Sequence, residues 1–87
     1  MKVFLYTLST CPWCMKTKKF FKDRNIPFDY VDVDLLDGEE YDRVINEVYR
    51  LSGSRSFPIA VIDDEVVVGY RPDRYEQLVS ERIGDRS

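Results

Sequence analysis

Apolar and polar positions alternate along the chain with two different periods, which separate strands from helices. A continuous apolar run at 3–8 predicts a buried strand, and the alternation at 28–34 predicts a second strand. Two shorter apolar runs, 58–62 and 65–68, predict a further pair of strands. Only two aspartates separate them, which indicates a hairpin.

Three other segments have the 3.6-residue period of amphipathic helices. The first begins at Pro12, because a proline suits the first position of a helix. The second lies between Asp37, expected to form a capping-box-like pair with Glu40, and Gly53, expected to end it. The third begins at Pro72. Their buried faces are expected to contain Cys14, Thr17 and Phe21; Tyr41, Val44, Ile45, Val48 and Ser52; and Tyr75, Leu78, Val79 and Ile83.

The order of these elements, βαβαββα, predicts an α/β fold. A strand–helix–strand start implies a parallel pair with a right-handed crossover, whereas the closing hairpin adds antiparallel strands. We therefore expect a four-stranded mixed sheet with helices on both faces. A length of 87 residues leaves no room for a second core, so residues 1–87 are expected to form a single domain. Residues 84–87 are expected to fray.

Composition and charge exclude several classes of partner. The net charge is −3 and no long block of one sign occurs, which argues against nucleic acid and anionic membranes. No apolar run approaches the ~20 residues of a membrane span, and the first residues lack the features of a signal peptide. We therefore expect a monomer in the cytoplasm.

The two cysteines introduce the chemistry. They lie three positions apart, and the chain has no histidine, which excludes Cys–His nucleophilic catalysis. A closed zinc site takes four ligands, whereas this chain offers two cysteines, so no metal site is expected. A disulfide between Cys11 and Cys14 would close too small a loop to stabilise the fold much. Redox chemistry is therefore the leading interpretation of the pair.

The position of the pair at a helix start predicts unequal roles for its two sulfurs. Cys11 precedes the first turn, where unpaired N–H groups and the helix dipole stabilise a thiolate. Thiols in Cys-x-x-Cys motifs have pKa values of about 3.5–7.5, against about 8.5 when free. Cys14 falls one turn later and faces inward, so we expect Cys11 to attack and Cys14 to resolve. The positive charge of Lys16 or Lys18 can further stabilise the thiolate. An inert pair of core cysteines and a metal or cluster site in a dimer are the alternatives.

Two further segments are candidates for substrate contacts. A cis peptide bond before Pro58 would expose the backbone of Phe57 to an extended thiol substrate. On local sequence alone, an ordinary proline at the start of a strand explains this position equally well. Residues 69–73 (GYRPD) combine a glycine, a turn and a helix start, which suits an anion. A capped helix start without a ligand is the alternative.

These motifs together resemble the glutaredoxin family. Residues 10–14 (TCPWC), with a lysine four positions further on, resemble the active site Cys-Pro-Tyr-Cys of that family. Residues 53–58 (GSRSFP) resemble its Gly-x-Arg-Thr-Val-Pro segment, which carries a cis-proline. Proline directly after the first cysteine distinguishes these proteins from thioredoxins, which have Gly-Pro there. The resemblance extends from residue 2 to about residue 83.

The resemblance implies a thioredoxin-like fold and a thiol–disulfide oxidoreductase that uses Cys11 and Cys14. Its expected substrates are protein disulfides or glutathione mixed disulfides, with no tightly bound cofactor and with glutathione as a candidate co-substrate. Members that bind iron–sulfur clusters usually lack proline after the first cysteine, which counts against the alternative function of a cluster carrier. A non-catalytic interaction domain is the third interpretation. The residues expected to bind substrate are Thr10, Pro12, Trp13, Lys18, Arg55, Phe57, Pro58, Gly69, Tyr70, Arg71 and Asp73.

Residues 69–73 depart from the family pattern at the last turn. Glutaredoxins usually have Gly-Gly-x-Asp-Asp there, whereas this segment resembles the Gly-Phe-Arg-Pro-Asp of glutaredoxin-like electron donors of ribonucleotide reductase. Those proteins commonly take electrons from a flavin thioredoxin reductase. The resemblance thus names ribonucleotide reductase among the candidate substrates. It also leaves two electron sources, glutathione and a flavin- or iron–sulfur-dependent disulfide reductase.

Overall fold

The computed structural model describes residues 1–83, with side chains for residues 1–82. The βαβαββα order predicted from the sequence is confirmed, and a short 3-10 helix is added. The expected burial of Ile83 and the fraying of residues 84–87 lie outside this description. The elements are β1 (Val3–Thr7), α1 (Pro12–Asp23), β2 (Asp29–Asp32), the 3-10 helix (Val33–Leu35), α2 (Gly38–Ser52), β3 (Ile59–Ile62), β4 (Glu65–Val68) and α3 (Pro72–Ile83).

The four strands form one mixed sheet in the order β2-β1-β3-β4. β1 runs parallel to β2 and antiparallel to β3, with Leu5 opposite Ala60, and β3 and β4 form the predicted antiparallel hairpin. β1 is therefore bonded along both edges. The loop that follows β1 carries the two cysteines, so it starts from the middle of the sheet.

One face of the sheet carries the main core. Aromatic rings from α1 and α3 meet there, with the ring of Tyr75 centred 5.3 Å from Phe20 and 5.4 Å from Phe21. Burying a side chain of this size contributes about 1.5–3 kcal/mol, so these contacts fix α1 against α3. The buried residues of this cluster are Val3, Leu5, Phe20, Phe21, Ile26, Ala60, Ile62, Val67, Tyr75, Leu78 and Val79.

The opposite face of the sheet is covered by α2, and less completely. Val48 is the fully buried side chain of this helix, whereas Val44 and Ile45 are half-buried and Tyr49 is 46% exposed. Burial, followed by the negative charge of Glu47 on α2, raises the pKa of Tyr6 of β1. The expectation of helices on both faces is thus confirmed. No helix within residues 1–83 has the length and apolar character needed to cross a membrane.

Two local expectations differ from the structure. The second strand ends at Asp32, four residues long, because the chain turns into the 3-10 helix at once. Asp37 occupies the N-cap position of α2, but its side chain makes no capping hydrogen bond, so the predicted capping box is wrong. The Glu40 carboxylate instead accepts a 2.8 Å hydrogen bond from Arg43. Gly53 ends α2 in the left-handed conformation at φ 77°, as predicted.

Candidate active site

Cys11 is the N-cap residue of α1. Its backbone is extended, at φ −89° and ψ 119°, and its carbonyl accepts a 3.1 Å hydrogen bond from the N–H of Met15. Pro12 is the first helical residue, as the sequence predicts. The Cys11 side chain is partly exposed, and both cysteines are free thiols. A substrate can therefore reach this sulfur at the positive end of the helix dipole.

Cys14 has the opposite environment. Its side chain is 0% exposed, and its sulfur accepts a 3.3 Å hydrogen bond from the N–H of Leu8. Burial raises the pKa of the Cys14 thiol to about 12; the Leu8 hydrogen bond opposes this, the nearby Cys11 sulfur adds to it, and Lys18 lowers it. Cys14 is therefore a protonated, shielded thiol at neutral pH.

Lys18 lies in a polar network beneath the cysteine loop. Its Nζ is 3.1 Å from Oδ1 of Asp32 and 4.0 Å from the ring centre of Tyr30. The same oxygen of Asp32 accepts a 2.5 Å hydrogen bond from the hydroxyl of the buried Thr7. Lys18 thus pairs with β2 and remains partly exposed, and its positive charge also acts on Cys14. Thr7 and Asp32 were not predicted as site residues, although Thr7 is a polar residue within an apolar strand.

A second pair of hydrogen bonds fixes the loop between β1 and α1. The backbone N–H of Ser9 donates to one oxygen of Asp34 at 2.8 Å, and the Ser9 hydroxyl donates to the other at 2.6 Å. These bonds lower the pKa of the Asp34 carboxyl. Ser9 therefore ties the cysteine loop to the 3-10 helix, while the neighbouring Thr10 is exposed. Sequence analysis gave no sign of this contact.

The peptide bond between Phe57 and Pro58 is cis, as the sequence resemblance implied. Pro58 is buried, and its carbonyl accepts a 2.7 Å hydrogen bond from the N–H of Gly69. This bond connects the start of β3 to the turn before α3. Arg55, also expected at the substrate site, is exposed and donates a 2.6 Å hydrogen bond to the hydroxyl of Tyr41 on α2.

An aromatic pair joins the cysteine loop to the last turn. The rings of Trp13 and Tyr70 stack with centres 5.7 Å apart and planes inclined by 30°. Trp13 is 53% exposed, and Nζ of Lys16 lies 4.8 Å from its ring centre. Trp13, one of the two residues between the cysteines, therefore contacts the turn that contains residues 69–73.

A chain of hydroxyl groups connects the same two segments. The buried Tyr75 donates a 2.7 Å hydrogen bond to the carbonyl of Gly69, and its hydroxyl is 3.3 Å from that of Thr17. The single proton of the Thr17 hydroxyl can be donated either to the Tyr75 hydroxyl or to the carbonyl of Trp13 at 3.0 Å. These bonds set the spacing between the first turn of α1 and the turn before α3.

The start of α3 offers few free N–H donors. The carbonyl of Arg71 accepts the first helical hydrogen bond, at 2.9 Å from the N–H of Tyr75, and Pro72 has no N–H. The N–H of Arg74 already donates to the carboxylate of Asp73 at 3.1 Å. Arg71 is exposed and makes no ion pair within residues 1–82. The N–H positions of Pro72 and Arg74 are therefore not open to a ligand at this corner.

Comparisons with known proteins identify the family of this chain. Residues 3–67 match the glutaredoxin family. A glutaredoxin-like 8.6 kDa protein of the rubredoxin operon in Clostridium pasteurianum is 35% identical over 75 residues, which span 86% of this chain and 93% of the relative. Glutaredoxin from Archaeoglobus fulgidus superposes with a TM-score of 0.85 at 40% identity, covering 90% of this chain and 85% of that one.

A third similar protein is a glutaredoxin-like redoxin. The glutaredoxin-like NrdH-redoxin of Escherichia coli, which has a thioredoxin-like activity profile, superposes with a TM-score of 0.71 at 28% identity. The match covers 90% of this chain and 95% of that one. From the helix-start cysteines, the cis-proline and these matches, we conclude that the chain belongs to the glutaredoxin family of the thioredoxin superfamily, a family of thiol–disulfide oxidoreductases.

Proposed function

We propose that the protein reduces protein disulfides by a dithiol mechanism in which Cys11 attacks and Cys14 resolves. The unequal burial of the two sulfurs is the observation that carries this proposal. Cys11 is partly exposed at a helix N-terminus, whereas Cys14 is 0% exposed and its pKa is raised to about 12. One sulfur can meet an external disulfide and the other cannot.

The reaction transfers two electrons in two displacements. The Cys11 thiolate attacks one sulfur of the substrate, the substrate S–S bond breaks, and the leaving thiolate takes up a proton. The Cys14 thiol then loses its proton and attacks the Cys11 sulfur. This step releases the second substrate thiol and leaves a Cys11–Cys14 disulfide. Because the Cys11 sulfur contributes to the high pKa of Cys14, formation of the mixed disulfide favours deprotonation of Cys14.

The first test separates the two cysteines. Cys11→Ser is expected to abolish reduction of insulin disulfides, whereas Cys14→Ser is expected to accumulate mixed disulfides with the substrate. Iodoacetamide at about pH 6 is expected to label Cys11 and to spare Cys14, because alkylation follows thiolate content and exposure. Faster labelling of Cys14 than of Cys11 would reverse the assigned roles, and full activity of Cys11→Ser would exclude the mechanism.

We also propose that a flavin- or iron–sulfur-dependent disulfide reductase, rather than glutathione, supplies the electrons. The support comes from the donor-poor start of α3, where Pro72 lacks an N–H and the N–H of Arg74 is engaged by Asp73. A missing hydrogen bond to a carboxylate ligand costs about 1.5–3 kcal/mol. The attraction between the exposed positive charge of Arg71 and this carboxylate contributes about 1 kcal/mol or less. Glutathione is thus expected to bind about tenfold more weakly here than at a helix start with the Gly-Gly-x-Asp-Asp segment of other glutaredoxins.

The second test compares the two electron sources on one protein. The oxidised protein is mixed with glutathione or with a flavin thioredoxin reductase and NADPH, and the rate of reduction is measured. A graft of Gly-Gly-x-Asp-Asp onto residues 69–73 is expected to raise glutathione-dependent turnover about tenfold. Glutaredoxin-like turnover by the unmodified protein, with no gain from the graft, would contradict the proposal. The resemblance of this turn to electron donors of ribonucleotide reductase makes that enzyme the first protein substrate to try.

A further inference from the structure

A groove of about 510 Å³ opens next to the cysteine loop on the α2 side of the sheet. The Trp13–Tyr70 pair lies on the other side, with α1 and α3. Four apolar side chains line the groove, from four separate segments: Leu8, Val33, Ile45 and Phe57. The space is sufficient for one leucine or phenylalanine side chain from another molecule.

The apolar face of α2 supplies one wall of this groove. Ile45 and Tyr41 are only half-buried, although the period of the helix places them on its core side. Part of this face is therefore not used by the protein's own core. An apolar surface that is left open beside a reactive site indicates contact with another molecule.

The groove is continuous with the proposed site of reaction. Leu8, which lines it, donates its backbone N–H to the sulfur of Cys14. Phe57, which also lines it, precedes the cis peptide bond to Pro58. An extended chain that lies along the backbone of Phe57 and brings a sulfur to Cys11 must therefore pass the opening of the groove.

Charge at the edge of the groove limits what can occupy it. Arg55 is held by the hydroxyl of Tyr41 at 2.6 Å and has no ion pair within residues 1–82. The carboxylate of Asp34 is already bonded twice to Ser9. The edge thus carries the positive charge of Arg55, which has no carboxylate partner within residues 1–82. It also carries the negative charge of Asp34, which already accepts two hydrogen bonds. An acidic residue beside an apolar one complements this arrangement.

We propose that this groove receives an apolar side chain of an extended, disulfide-bearing protein segment, with a neighbouring carboxylate of that segment pairing with Arg55. The proposal rests on the function proposed above and names its substrate class. Glutathione consists of γ-glutamate, cysteine and glycine, so it has no apolar side chain to place here. Because the carboxylates of glutathione can also pair with Arg55, the apolar side chain is the part of the contact that distinguishes protein disulfides from glutathione mixed disulfides.

The test uses short peptides that contain one cysteine in a mixed disulfide with 2-mercaptoethanol. Leucine or serine is placed at each of the four positions nearest the cysteine, with an aspartate or a lysine next to it. Reduced protein in excess is the sole reductant, and each peptide disulfide takes up the two electrons of the Cys11–Cys14 dithiol. At one position, leucine is expected to increase the second-order rate constant about fivefold over serine, and aspartate is expected to increase it further over lysine.

Variants of the groove provide the decisive comparison. Ile45→Ala is expected to remove most of the preference for leucine, and Arg55→Gln the preference for aspartate. Val44→Ala is the matched control, since Val44 is also half-buried on α2 but does not line the groove. Ile45→Ala and Val44→Ala are both expected to reduce a glutathione–mercaptoethanol mixed disulfide at the rate of the unmodified protein.

Two outcomes would overturn the inference, and a third concerns the proposed function. If all peptides are reduced at the same rate whatever their side chains, the groove does not bind substrate. If Val44→Ala lowers the leucine preference as much as Ile45→Ala, the effect belongs to α2 as a whole. If no peptide and no glutathione mixed disulfide is reduced, the dithiol mechanism itself fails, and the groove proposal fails with it.

Discussion

The buried thiol of Cys14 makes the stability of the protein depend on alkaline pH. In the folded protein its pKa is raised from 9.0 to about 12, chiefly because burial penalises the thiolate. In the unfolded chain the same thiol is solvated and loses its proton near its ordinary pKa. The contribution of Cys14 to stability is therefore fully present below about pH 9 and is lost as the pH rises toward about 12.

The size of the effect follows from these two values. One pKa unit corresponds to about 1.4 kcal/mol, so the full difference is about 4 kcal/mol. At about pH 10.5, midway between the folded and unfolded values, roughly half of it, about 2 kcal/mol, has been lost. A loss of this size is a large fraction of the total stability of a small domain.

The assay is urea unfolding followed by far-ultraviolet circular dichroism, at neutral pH and at about pH 10.5, with a phosphine reductant. Cys14→Ser is the reference, because serine does not ionise in this range and can still accept the hydrogen bond from Leu8. Buried Tyr75 also has a raised pKa, through burial, but it is present in both proteins and cancels. The free energy of unfolding is expected to fall by about 2 kcal/mol more in the unmodified protein. An equal fall in both proteins would refute the reasoning.

Two further substitutions test the supports of the site and the fold. Tyr75→Phe leaves the Gly69 carbonyl without its hydroxyl donor and is expected to cost about 1–3 kcal/mol in urea unfolding. Tyr70→Phe is its control, since the Tyr70 hydroxyl makes no hydrogen bond with the described part of the chain, and equal losses would contradict the assignment. Gly53→Ala places a side chain at φ 77° and is expected to lower the free energy of unfolding by about 1 kcal/mol. Gly53→Asn is expected to cost less, and the reverse order would contradict the explanation.

The sequence predicts those parts of the fold that depend on local patterns. Hydrophobic periods located the four strands and three α-helices of residues 1–83 to within a few residues, because each of these elements buries one face or one stripe. Pro12 and Gly53 marked helix ends through their own backbone preferences. The spacing of Cys11 and Cys14 relative to the helix start was enough to predict which sulfur is buried.

Contacts between distant segments could not be predicted in the same way. The hydrogen bonds from Ser9 to Asp34 and from Thr7 to Asp32 join residues 25 positions apart in the sequence. The periodicity of apolar residues within one strand or helix does not indicate such a pairing. Lys18 was expected at the substrate surface because of its place in the motif, and its ion pair with Asp32 could not be predicted. Several aspartates of similar sequence context lie nearby, so the choice of partner is set only when β2 packs beside β1.

The central position of β1 has a consequence for how the site moves. This strand is hydrogen-bonded to β2 on one edge and to β3 on the other, and the loop that follows it is tied down at Leu8 and Ser9. Amide protons in the middle of a sheet exchange with solvent only through large-scale opening. We therefore expect the slowest-exchanging amides of the protein in β1, directly next to the cysteine loop. The reactive pair is then anchored in the last part of the molecule to unfold, so it keeps its spacing while the outer segments fluctuate.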